Sequence, residues 1–167
     1  MLRIHDLMLA EFDRETGATR RVLARVPDTH LNWRPHERSR SLGELAAHVA
    51  DLPGWAAVIA TTTAFDLGEA PRRLATDASA AALLARFDAA VTRARGTLAA
   101  QSDAELEIPW SLSRAGRPVL TVPRGVAVRV QIVGHMVHHR GQLTVYLRLL
   151  DIPVPPVYGP SADEGTF

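Results

Sequence analysis

The apolar run Val133–Leu150 carries histidines at 135, 138 and 139 and arginine at 140, which narrows what the chain can fold into. Valines, leucines and Tyr146 at helical spacing predict one long buried helix over about Arg124 to Asp151, stopped by Ile152-Pro153. Burying imidazoles on such a helix costs a few kcal/mol unless a metal or hydrogen bonds satisfy them. Residues four apart on a helix are rotated by only about 40° and rise about 6 Å, so His135 and His139 can converge on one cation. His135 and His138, three apart, are nearly as well placed, so spacing leaves the choice between His138 and His139 open. A catalytic site of this kind usually has three protein ligands and an open position. The third candidate is His48, on the small-residue segment Ser41-Leu-Gly-Glu-Leu-Ala-Ala-His48.

Three further segments read as helices. Leu2, Leu9, Phe12, Thr16, Leu23 and Val26 recur at helical spacing, so the first runs over about Leu2 to Val26 and ends at Pro27. The second opens at Ser39 or Ser41, where Ser41 and Glu44 have the form of a capping box, and runs to about Phe65. Pro53 removes the hydrogen bond to the Val49 carbonyl and predicts a kink or break one turn after His48. Gly68 to Thr76 is expected as a loop, and Asp77 or Ser79 as the cap of an alanine-rich third helix to about Ala100. Its buried face is Leu83, Leu84, Phe87, Val91, Ala94 and Leu98. Glu107 to Pro123 predicts a hairpin or extended excursion, and residues 152–167, rich in proline, an extended tail. In that tail Val157 and Tyr158 are expected to dock on the helices, with Asp163 and Glu164 finding arginine partners, Arg140 being one candidate. The expectation is a single all-α domain over 1–167, a four-helix bundle.

Bulk properties narrow the chemistry. The nineteen basic residues are all arginine, scattered among eighteen acids for a net charge of +1, which argues against a nucleic-acid partner. No apolar stretch is long enough for a membrane span and no leader is evident, so a cytoplasmic protein with no membrane partner is expected. With no cysteine, any metal must be held by His, Asp or Glu. Asp51, one turn after His48, is a candidate fourth ligand or catalytic base, with a surface carboxylate the blander reading. Glu44 reads as a cap, and His5, His30 and His36 as solvent or loop residues. Trp33, Trp55 and Trp110 are expected in the core. Trp33 and Trp55, with His138, are also candidates to wall a substrate pocket beside the metal. Gly134 and Gly141 each weaken a helix by about 0.5–1 kcal/mol relative to Ala, which close approach of another helix or a ligand would offset.

Three segments together, Leu42-Gly-Glu-Leu-Ala-Ala-His48 with Leu52-Pro-Gly-Trp55, His135-Met-Val-His-His139-Arg-Gly-Gln-Leu143, and Val154-Pro-Pro-Val-Tyr158-Gly-Pro-Ser-Ala-Asp-Glu164, resemble the DinB family of damage-inducible-like proteins. The resemblance spans nearly the whole chain. It implies an up-down-down-up four-helix bundle, often dimeric, holding a divalent metal such as nickel or zinc. The ligands it implies are His48, His135 and His139. The wider group includes thiol-dependent transferases and maleylpyruvate isomerase-like enzymes, so the resemblance implies a metal-dependent hydrolase or a transferase using a low-molecular-weight thiol. A non-catalytic metal- or ligand-binding sensor with a structural metal is the alternative expectation.

Overall fold

The computed structural model describes residues 3–69 and 79–165. Four helical runs dominate. Helix α1 (Ile4–Leu23) buries Met8, Phe12, Glu15, Thr19 and Val22 at spacings of three and four, the stripe that faces a core. Leu2 lies outside the described residues, and the helix stops three residues before Val26, ahead of the 3-10 turn Asp28–His30.

Helix α2 (Leu42–Thr61) opens on the expected capping box: the Glu44 N–H donates to Ser41 Oγ at 3.1 Å and the Ser41 N–H to Glu44 Oε2 at 2.7 Å. Gly43 is required there, because a Cβ would stand 2.9 Å from the Leu31 carbonyl oxygen. Contrary to the expected break, the helix runs on through Pro53. It ends at Thr61 rather than Phe65. The hydroxyls of Thr61 and Thr62 donate back to the carbonyls of Ala57 and Val58, each at 2.8 Å. Tertiary partners then hold the exit. Trp110 Nε1 donates to Thr62 Oγ1 at 3.1 Å, and the Arg124 guanidinium to the Thr62 carbonyl at 3.0 and 2.8 Å.

That early exit frees β1 (Ala64–Asp66), which pairs in parallel with β2 (Pro109–Arg114), Phe65 opposite Leu112. Strand β2 is antiparallel to β3 (Arg117–Pro123), the expected hairpin, turning through Ala115 and Gly116 at positive φ. The all-α expectation is therefore corrected to a mostly helical fold with a small three-stranded sheet, ordered β1-β2-β3. The sheet's extra strand comes from residues whose partner lies some fifty positions away. Helix α3 (Ala80–Ala99) is capped by Ser79, whose hydroxyl accepts from the Ala82 N–H at 3.2 Å; Asp77 and most of the expected Gly68–Thr76 loop lie outside the described residues. A short helix α4 (Asp103–Glu107) precedes the hairpin.

The last run is not a uniform helix. Helix α5 (Arg124–Ala127) passes into a π-helical segment, Val128–Gly134, and then α6 (His135–Leu149). A wider turn of this kind re-aims the side chains that follow it. A Cβ on Gly134 would meet the Arg129 carbonyl, five residues back, at 3.4 Å. Gly141 faces open space, so no close approach offsets its cost.

Helices α1 and α2 each pack against both α3 and α6. Alanines 46, 47 and 50 of α2 are fully buried, and small side chains let the helix backbones approach closely. One core cluster gathers Leu45, Val49, Phe87 and Leu143; the other joins Phe12, Ile59, Leu98 and Ile132 to Trp110 of the sheet. The tail docks, as expected. Val154 and Val157 pack on the first cluster, and Ser161 Oγ donates to the Val154 carbonyl at 2.6 Å. Its acids find Arg148 (with Asp163, 2.5 Å) and Arg25 (with Glu164), not Arg140. No helix among the described residues is long and apolar enough to cross a membrane.

Candidate metal centre and its chamber

Helix α2 presents Glu44, His48, Asp51, Trp55 and Ile59 at intervals of three and four, a single face that lines a cavity of about 1200 Å³. Gln131 and Ile132 of the π segment and His135 of α6 form the facing wall, while Phe65, Trp110 and Leu112 of the sheet contribute an apolar side. The rings of Trp55 and Phe65 meet edge to face, centroids 4.6 Å apart. Arg34, Arg38 and Arg40, from the segment before α2, stand at its polar end.

His48, His135 and His139 meet there. Nε2 of His135 lies 3.3 Å from Nε2 of His48 and 2.8 Å from Nε2 of His139, and all three donor atoms fall within 4.8 Å of one another. His139 Nδ1 lies 2.7 Å from Gln142 Oε1, and His135 bonds the backbone carbonyl of Gln131. An oxygen can only accept, so each Nδ1 carries the proton and each Nε2 is left with a bare lone pair. Two lone pairs facing at 2.8 Å share no hydrogen. They suit a cation between them, since nitrogens about 2.0–2.1 Å from a tetrahedral metal stand about 3.3 Å from each other.

The imidazoles are tuned to stay neutral. Burial, reinforced by His139, Arg40 and His135, pushes the His48 imidazole down to about 3. Burial also lowers His135 and His139, against a smaller opposing pull from the Gln131 carbonyl and the Gln142 amide respectively. Neutral imidazoles are the form that ligates. The three therefore fit a divalent ion, and among the described residues no carboxylate joins the group.

Other sequence candidates are placed as follows. Asp51 lines the chamber with its carboxylate 3.3 Å from Arg86. Trp55 lines it too, whereas Trp33 packs edge to face on Tyr146, centroids 5.7 Å apart. His138 is exposed, its ring 4.8 Å from that of His139. His5 is half-buried on α1, its Nε2 3.1 Å from the Leu98 carbonyl.

Next to His139, Arg140 points the other way, into the protein. It pairs with buried Glu15 at 2.8 Å and donates to Tyr158 Oη at 2.9 Å, and that hydroxyl in turn donates to Glu15 Oε2 at 2.8 Å. Helix α6, α1 and the tail are thus joined directly behind the histidines.

Residues 1–166 match the DinB family. The chain belongs to the DinB family. Two solved structures share this fold. A DinB-like protein from Bacillus cereus ATCC 10987 is 22% identical, with 90% of this chain covering 95% of that one at a TM-score of 0.69. A DinB-like protein from Bacillus subtilis is 20% identical, with 91% of this chain and 96% of that one covered at a TM-score of 0.66. No match was found among proteins of curated function.

Sequence reasoning missed three contributors: Gln142, the Gln131 carbonyl and Arg40. Gln142 is three residues past His139 and Gln131 four before His135, so helical spacing alone puts each on its ligand's face.

Proposed function

We propose that this DinB protein is a metal-dependent enzyme acting on a small molecule, with His48, His135 and His139 as ligands of a divalent ion such as zinc or nickel. One observation carries the reading: three neutral imidazoles converge at a roomy chamber, and Asp51, the nearest candidate to close the coordination shell, is turned to Arg86. Such an ion supplies Lewis acidity, lowering the pKa of a bound water or thiol. The chain itself contributes the dry wall of Trp55, Phe65 and Ile132 and the hydrogen bonds that orient the ligands. Hydrolysis and thiol transfer are both served by this site. With no cysteine in the chain, a thiol would come from a low-molecular-weight cofactor.

Metal analysis of the purified protein, then a thermal-shift screen of small thiols and electrophiles on the loaded form, tests the reading. Turnover that requires a thiol selects the transferase and turnover in its absence the hydrolase. Stabilisation by metal with no turnover of any electrophile would leave the sensing protein.

The finer architecture belongs to the same proposal. Packing of α1 and α2 on both α3 and α6 supports an up-down-down-up four-helix bundle. A cytoplasmic two-fold dimer through a face that includes α1 is supported by Ile4 and Leu7, both more than half exposed. Light scattering that finds only monomer mass across micromolar concentrations would remove the dimer.

A further inference from the structure

We propose that the chamber's ligand is an amphipathic anion of the carboxylate class, with its charged head on Arg40 beside the three histidines and its apolar body on Trp55, Phe65 and Ile132. The inference rests on reading the chamber as the reaction site and names what enters it.

The argument begins with charge. Glu44 is held at the helix cap and 3.8 Å from Arg34, and Asp51 lies 3.3 Å from Arg86. Arg40 has no carboxylate within ion-pair distance among the described residues, although its guanidinium lines the cavity. Its main chain is tethered, with Tyr146 Oη donating to the Arg40 carbonyl at 3.3 Å, so the cation is carried on a positioned stem. Its charge reaches every member of the triad, lowering His48, His135 and His139 alike. The histidines are themselves neutral, so Arg40 is the cation that an incoming anion meets beside them. A planar guanidinium offers paired donors that match a carboxylate.

The walls then specify the rest of the molecule. Trp110 is buried, Trp55 and Phe65 form an edge-to-face pair, and Ile132 closes the side below His135. These surfaces offer little to a sugar or a polyphosphate, which would leave hydroxyls or extra charges unpaired against them. A flat or branched apolar body loses nothing there. One guanidinium at one end of an apolar chamber fits a single negative head on such a body.

2-Naphthoate and 2-naphthamide have the same shape and differ in charge, which makes them suitable probes for calorimetric titration at pH 7.5. On chelator-treated protein, naphthoate should bind at least tenfold more tightly than naphthamide. Arg40→Gln should bring the two within about threefold by weakening naphthoate alone, and Arg40→Lys should restore part of the difference. Phe65→Ala should weaken both probes equally. Equal affinities in the unsubstituted protein, no binding of either probe, or a preference that survives Arg40→Gln would overturn the proposal. Because these titrations contain no metal, a protein that binds no metal but prefers naphthoate through Arg40 would remove only the metal reading. A metal-binding protein without that preference would remove only this one.

Discussion

The Nε2 atoms of His135 and His139 face each other at 2.8 Å while the opposite nitrogen of each ring is bound to an oxygen, the Gln131 carbonyl for one and Gln142 Oε1 for the other. A contact of that kind is favourable only with a positive charge between the lone pairs.

Loading with zinc or nickel should therefore stabilise the fold. An ion at a hundred times its Kd and bound only to the folded state adds about 2.7 kcal/mol, which for a chain of this size raises Tm by about 5–10 °C. Calorimetry with and without chelator measures it. His135→Ala should melt at the same temperature in both conditions, and a chelator response retained by that variant would place the metal elsewhere.

Gln142 should matter to affinity without touching the ion. Gln142→Leu removes the acceptor that fixes the His139 tautomer and is expected to weaken metal binding about 10–100-fold, read by competition with a chromophoric chelator. Gln142→Glu keeps an acceptor and should restore tight binding. Equal losses in both variants would mean the residue acts only through packing.

Acid should destabilise the metal-free protein in a definite direction. Unfolded imidazoles take up protons near pH 6.5, whereas burial holds all three folded ones lower, His48 down to about 3. The unfolded state then binds more protons, so the stabilising contribution is present above pH 6.5 and is lost as pH falls toward 3. Urea titrations between pH 7 and 5, above the range where carboxylates dominate, should show stability falling, with a shallower slope in His48→Gln. A parallel slope in the variant would assign the effect to other groups.

The Glu15–Arg140 pair is the structural counterpart of the site. Glu15→Ala leaves a buried guanidinium uncompensated and should cost about 3–5 kcal/mol. Tyr158→Phe removes hydroxyl bonds from a ring that stays largely exposed, and should cost about 1 kcal/mol. Chemical denaturation gives both values, and a Glu15→Ala loss below the Tyr158→Phe loss would contradict the assignment.

What the sequence determined on its own was mostly local. The Ser41–Glu44 cap, the stripe of α1, the Pro109–Pro123 hairpin and the His135–His139 spacing all depend on residues within a few positions of each other, where helical or turn geometry dictates who meets whom. The pairing of His48 with that spacing came from the family resemblance, and the fold brings the three together. Other features depended on partners distant in the chain. Helix α2 could have run past Thr61; Trp110 and Arg124 decide otherwise by binding Thr62, and that exit lets β1 join the sheet. Pro53 does not break its helix, because the buried apolar face around it, Val49, Leu52 and Ala56, outweighs one lost backbone bond. Arg140 binds Glu15 and Tyr158 rather than the tail's acids, because it faces the interior beside α1, while Arg148 and Arg25 lie where the acids emerge. Only burial and long-range packing set those choices, since a side chain's nearest partner in sequence has no claim on it once the chain closes on itself.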